Sequence, residues 1–194
     1  FKKNKNEETV LNKKGIYLFQ ELFKEKNPER ENEYIFCINK NLSNPIVNKI
    51  FYVLNEDEYN ENKEYFDGLK STHFVSPHKV EFIISKQKRF TFNQMVDFSN
   101  IYVEENRIVL VTNLDVFIPE SEDWENIYDD FFMSTDKSVC LALSRTEYSD
   151  EKTQWIDKIA WGNGEFADAW GFLSPLKIKS ETFPFQIPVG NAPS

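Results

Sequence analysis

The sequence predicts an α/β protein built on a mostly parallel mixed sheet flanked by helices. Three observations carry that prediction. Short apolar runs rich in β-branched and aromatic residues recur along the chain, and stretches with helical spacing separate them. The third is the run over residues 108–111, apolar and β-branched without a break, as expected of a strand buried on both faces.

The elements follow in order. Residues 16–19 (Ile-Tyr-Leu-Phe) read as the first strand. Asn27-Pro28 then supplies an N-cap and a proline at the first helical position, with acidic residues in the first turn. Tyr34, Ile35, Ile38 and Leu42 give that helix one apolar face, and Ser43-Asn44-Pro45 ends it. Residues 50–54 form a second strand. The acidic stretch 56–70 is expected to be a solvated helix or loop. A third strand covers 80–84. Thr91-Phe92-Asn93-Gln94 has the form of a capping box, opening a helix with Phe92, Met95, Val96 and Ser99 inward. After the 108–111 strand, Ser121 can cap a helix whose Trp124, Ile127, Tyr128 and Phe131 share a face. A buried strand over 139–143 and a short strand over 170–173 complete the set. Residues 1–14, rich in Lys and Asn, read as a loose polar arm. Residues 15–194 read as one domain, either truncated at its C-terminus or continued in a longer protein.

Composition narrows the function. A formal charge of −9 and a pI near 4.9 exclude a basic face for DNA or RNA, although a small basic pocket in an acidic surface would still suit an anionic nucleotide. No apolar run reaches bilayer length, and the N-terminal residues lack the apolar core of a signal peptide. Cys37 and Cys140 lie far apart in apolar runs and are expected to be buried free thiols, which suits a cytoplasmic location. His73 and His78 have no partners at zinc-ligand spacing. Dinucleotide-binding and P-loop glycine motifs are missing, as is a nucleophile elbow.

In open α/β sheets ligands bind beyond the carboxyl ends of the strands. The 108–111 strand runs into Thr112-Asn113-Leu114-Asp115. In an extended segment Asn113 and Asp115 project to one side, and an amide oxygen with a carboxylate there can hold a hard divalent cation and, through it, a diphosphate. The alternative is a strand-to-turn transition in which both side chains satisfy backbone groups. Ser144-Arg145 stands at the next strand end, where an arginine can clamp phosphate or form a surface ion pair. Lys88-Arg89 precedes a helix start, an arrangement that favours anions, or else a solvated turn. Asp168, in an apolar and aromatic context, is either paired structurally or kept for chemistry.

Several segments, in order, resemble one family of GT-A-type nucleotide-sugar glycosyltransferases and glycosyltransferase-like proteins. They are Asn27-Pro28-Glu29-Arg30 with Glu33; Cys37 to Asn41 with Asn44-Pro45; Leu54-Asn55-Glu56; and Arg89-Phe90-Thr91-Phe92. Further on come Asn113-Leu114-Asp115-Val116-Phe117, Leu143-Ser144-Arg145, Asp168-Ala169-Trp170-Gly171-Phe172, and the closing Phe185-Gln186-Ile187-Pro188-Val189-Gly190-Asn191. The resemblance implies a GT-A-like (Rossmann-like) fold and sugar transfer from a nucleotide-diphosphate-sugar to a glycan, protein or small-molecule acceptor. It sets Asn113-Leu114-Asp115 where such enzymes carry an Asp-x-Asp metal motif, with Asp115 on Mn²⁺ or Mg²⁺. By the same implication Arg89, Thr91, Asn113, Ser144, Arg145, Trp170 and Asn191 bind substrate, and Asp168 is the catalytic base or acceptor orienter. Trp161 and Trp170 are expected to stack on a sugar or to pack in the core. The first motif position is Asn rather than Asp, and the final loop lacks a Gly-Cys-Asp-Asn-like ending; both departures leave open a non-catalytic recognition module.

Overall fold

A computed structural model describes residues 15–120 and 169–177, Asn126, and the backbone of 140–143, 147–149 and 154–156. The arm over 1–14 and the helix expected from Ser121 lie outside the described residues. The strands are β1 (Ile16–Glu21), β2 (Val47–Asn55), β3 (Val80–Ser85), β4 (Arg107–Thr112), β5 (Cys140–Leu143), β6 (Glu147–Ser149), β7 (Gln154–Ile156) and β8 (Ala169–Ser174). Six of them form one sheet in the order β3-β2-β1-β4-β8-β5, and β6 and β7 pair separately as a hairpin-like ribbon. β1 to β4 are mutually parallel; β8 runs antiparallel between β4 and β5. The predicted mixed, mostly parallel sheet is therefore what forms.

Helices cover both faces. On one side α1 (Pro28–Ser43) and α3 (Lys63–Gly68) pack Ile38, Leu42 and Phe66 onto Ile16, Leu18, Ile50, Tyr52 and Leu110. On the other, α4 (Phe92–Tyr102) packs Met95 and Val96 onto Tyr17, Phe19, Phe51, Val53, Val109 and Val111. The alternation along each strand feeds two separate cores, as the period-two geometry of a strand requires. All six residues of β1 are buried, which is why it can be central.

The caps behave as their chemistry dictates. Asn27 Oδ1 accepts from the Glu29 amide at 3.0 Å and opens α1. Thr91 and Gln94 close the reciprocal capping box of α4, with Gln94 Oε1 accepting from the Thr91 amide at 2.9 Å. The acidic stretch after β2 is helical, one of the two forms expected of it. It forms α2 (Glu56–Glu61), α3 and a single π-helical turn over Leu69–His73, and it is not merely solvated: Phe66 and Leu69 are buried in the α1-side core. A three-residue hydrophobic anchor outweighs the polarity of the surrounding sequence once Phe74 joins it.

Candidate functional site

Strand order reverses direction beside β1: β2 and β3 follow on one side, β4 on the other. Helix α1, which leaves β1, covers one face of the sheet, and α4, which leads into β4, covers the other; a crevice lies at the carboxyl ends of the two strands. It is a cleft of about 130 Å³ lined by Glu21, Phe23, Arg30, Tyr34, Arg89, Asn113, Leu114 and Asp115.

Each side chain arrives there for a local reason. Gln20 and Glu21 end β1 and point to opposite faces of the sheet. Gln20 is fully buried on the α1 side, where Nε2 donates to Thr112 Oγ1 at 2.8 Å and to the Asn113 carbonyl at 2.7 Å. This ties the end of β4 to the end of β1. Gln20 Oε1 and the hydroxyl of Tyr52, its register partner on β2, are buried without a hydrogen-bond partner among the described residues. Glu21 points to the α4 side and meets Arg89, whose Nη1 lies 3.7 Å from Oε1.

Of the two geometries open to the segment after β4, extended or turned, the structure has the turn. The strand stops at Thr112, and Asn113 to Val116 form a turn closed by the Val116 amide donating to the Asn113 carbonyl at 3.3 Å. Leu114 turns into the α1-side core while Asn113 and Asp115 still line the cleft. The turn is held by α1. Asn41 donates to the Val116 carbonyl at 3.0 Å and accepts from the Ile118 amide at 2.8 Å, and Asn44 donates to the Ile118 carbonyl at 3.0 Å. Both asparagines are buried, so the helix carries buried amides to satisfy a loop that has no ladder of its own.

Arg30, in the first turn of α1, closes this wall. Its Nη2 donates to Asp115 Oδ2 at 3.2 Å and to the Tyr34 hydroxyl at 3.3 Å, while Nη1 donates to Glu33 Oε2 at 2.6 Å. The guanidinium also lies over the Tyr34 ring, 5.1 Å from its centroid, and Phe23 meets Tyr34 edge-on. Hydrogen bonding to Tyr34 is the main reason the guanidinium holds its proton above its ordinary range.

Two further groups are strongly perturbed. Burial raises the Glu21 carboxyl from 4.5 to about 7; Arg89 and the Phe90 amide pull it back down, and Glu58 of α2 adds a smaller push upward. The Cys37 thiol, free and buried, is pushed up to about 12, chiefly by desolvation with Asp115 and Glu33 adding to it. A thiol so protonated is a packing group rather than a nucleophile.

Of the residues expected to bind substrate, Arg89, Asn113 and Asp115 meet in the cleft. Thr91 is committed to the α4 cap. Trp170 lies on β8 opposite Val111, 36% exposed, with its ring 5.6 Å from that of Phe92. Ser144, Arg145, Trp161, Asp168 and Asn191 lie outside the described residues. Sequence reading overlooked Gln20, Glu21, Arg30 and Tyr34 as site residues. A signal existed for each pair: Gln20-Glu21 directly continues an apolar strand, and Arg30 and Tyr34 stand one helical turn apart beside a strand end.

Among the described residues, no set of side chains beside Asp115 composes a seat for Mn²⁺ or Mg²⁺. Asp115 is bonded to a guanidinium, and no group of three or more His, Cys, Asp or Glu able to hold a metal occurs among the described residues. No helix among the described residues is long and apolar enough to cross a membrane.

No family model matches the chain, and no curated protein matches it. Among solved structures, HddC from Yersinia pseudotuberculosis is similar at 17% identity and a TM-score of 0.35, over 60% of this chain. The alignment spans about half, 54%, of the HddC chain.

Proposed function

We propose that the chain is a GT-A-like glycosyltransferase that binds a nucleotide-diphosphate-sugar in the cleft between β1 and β4 and transfers the sugar to an acceptor. The observation that carries this reading is the position of Arg30 and Arg89 at the topological switch point of the sheet, in a chain that is otherwise strongly acidic. Two guanidiniums there favour a diphosphate, and they would stabilise the charge that builds on it as the sugar leaves. Phe23 and Tyr34 offer an aromatic wall. Asn113 and Asp115 stand at the strand end that the family resemblance assigns to the donor. Asp168 as base or acceptor orienter, and Ser144, Arg145, Trp170 and Asn191 as further substrate contacts, belong to the same proposal. A divalent ion enters it only as a companion of the donor's diphosphate.

The bond between Arg30 and Asp115 favours a second reading, a recognition module that binds a nucleotide-sugar without turning it over. Calorimetric titration with UDP- and GDP-sugars, with and without Mn²⁺, separates the possibilities. The expected result is binding that weakens at least tenfold, about 1.4 kcal/mol, in Arg30→Met/Arg89→Met. Absence of binding, or binding indifferent to both arginines, overturns the site. Mn²⁺-dependent binding lost in Asp115→Ala restores the ion to the reading. Release of nucleoside diphosphate from the bound donor distinguishes the enzyme from the module.

A further inference from the structure

The cleft contains two arginine–carboxylate couples on facing walls, Arg30 with Asp115 and Arg89 with Glu21. Their exposure is uneven. The guanidinium side chains are 44% and 55% exposed and so accessible to a ligand, whereas the Glu21 side chain is only 9% exposed. With both carboxylates ionised the four groups sum to zero charge. A diphosphodiester brings two negative charges, and each arginine it engages is partly withdrawn from its carboxylate.

We infer that anion binding in this cleft is coupled to uptake of one proton by Glu21, which releases Arg89 to the ligand's phosphate. Arg89 is the cationic neighbour of Glu21 from the loop before α4, and the Phe90 amide hydrogen-bonds to the carboxylate. Glu58 of α2 opposes its charge, and Arg30 and Asp115 line the same cleft. Once Arg89 turns to an anion, a desolvated carboxylate is left beside new negative charge, and protonation is the least costly response. In the free protein Glu21 titrates near 7. In the complex it titrates higher. Affinity is therefore constant below the free value, falls as pH rises through the window between the two values by up to about tenfold per pH unit, and levels off above the bound value. The proton comes from solvent, and no covalent bond changes.

This inference rests on the proposed donor site, and its test keeps the two apart. The probes are UDP-glucose and GDP-mannose, whose diphosphodiesters do not titrate near neutrality, and sulfate, which lacks nucleoside and sugar. Calorimetry at about pH 7.5 in buffers of different ionisation enthalpy counts the protons bound. The expected result is uptake of up to about three-quarters of a proton in the wild type, since a Glu21 that titrates near 7 is already partly protonated at that pH, and none in Glu21→Gln, whose affinity is also flat with pH. Arg89→Met, in which Glu21 is already protonated in the free state, binds more weakly and takes up less. Carboxyl carbon NMR gives an independent reading: the Glu21 titration midpoint moves upward when sulfate or a nucleotide-sugar is added. Nucleotide-sugar binding with no proton uptake overturns the coupling and leaves the donor site standing. Sulfate-linked uptake without nucleotide-sugar binding supports the coupling and overturns the donor reading. No binding by any probe overturns both.

Discussion

The two walls of the cleft present the same pair of charges and are built differently. On the α1 wall, the turn from Asn113 to Ile118 is fastened by Asn41 and Asn44, and Arg30 is held by Glu33, Tyr34 and Asp115 at once. On the α4 wall, Arg89 reaches Glu21 across 3.7 Å from a side chain more than half exposed. One wall is fastened by the buried amides of Asn41 and Asn44, with the exposed Arg30 bonded to three partners above them. The other balances a desolvated carboxyl against one exposed cation. The difference teaches where function and stability separate: the first wall fixes geometry, the second responds to charge.

The largest effect that tests this contrast comes from Asn41→Leu. The substitution strands the Val116 carbonyl and the Ile118 amide and is expected to cost about 4 kcal/mol, read as a lower urea midpoint at unchanged slope. A cost below about 1 kcal/mol would show that the turn supports itself.

Next is the pH dependence carried by Glu21. Its folded value, about 7, lies above its ordinary 4.5, so the folded state binds the extra proton between them. The stabilisation is fully present below pH 4.5 and is lost as pH rises through about 7. Relative to the wild type, Glu21→Gln is therefore expected to gain stability progressively over that window, reaching on the order of 2 kcal/mol by alkaline pH. Unfolding curves of the two proteins at matched pH values measure the gain, and a difference constant with pH contradicts it. The smallest effect is Thr91→Ala, expected to cost about 1 kcal/mol through loss of the α4 cap, with nucleotide-sugar affinity altered less than by Arg89→Met. An affinity loss equal to that of Arg89→Met would return Thr91 to the binding site.

Much of the fold was legible. Asn27-Pro28 and Thr91 to Gln94 announced their helices because a cap is a local transaction between neighbouring residues. The burial of β4 was legible because a strand covered on both faces has no polar alternation. The candidate site was legible in part. Arg89, Asn113 and Asp115 are marked by their places at element ends, but the sequence leaves both an extended segment and a turn open at Leu114-Asp115, since nothing local reveals that Asn41 and Asn44, some 75 residues earlier, hold the turn.

By itself the sequence determined the succession of strands and helices, the caps, and the two alternating faces of β1, all set by interactions within a few residues. Only the tertiary structure decided that β8 enters antiparallel between β4 and β5, that Gln20 bridges to Thr112, and that Arg30 and Arg89 confront each other across one crevice. Those depend on parallel register between strands some ninety residues apart, where burial of two whole faces chooses the pairing and no single residue carries the signal.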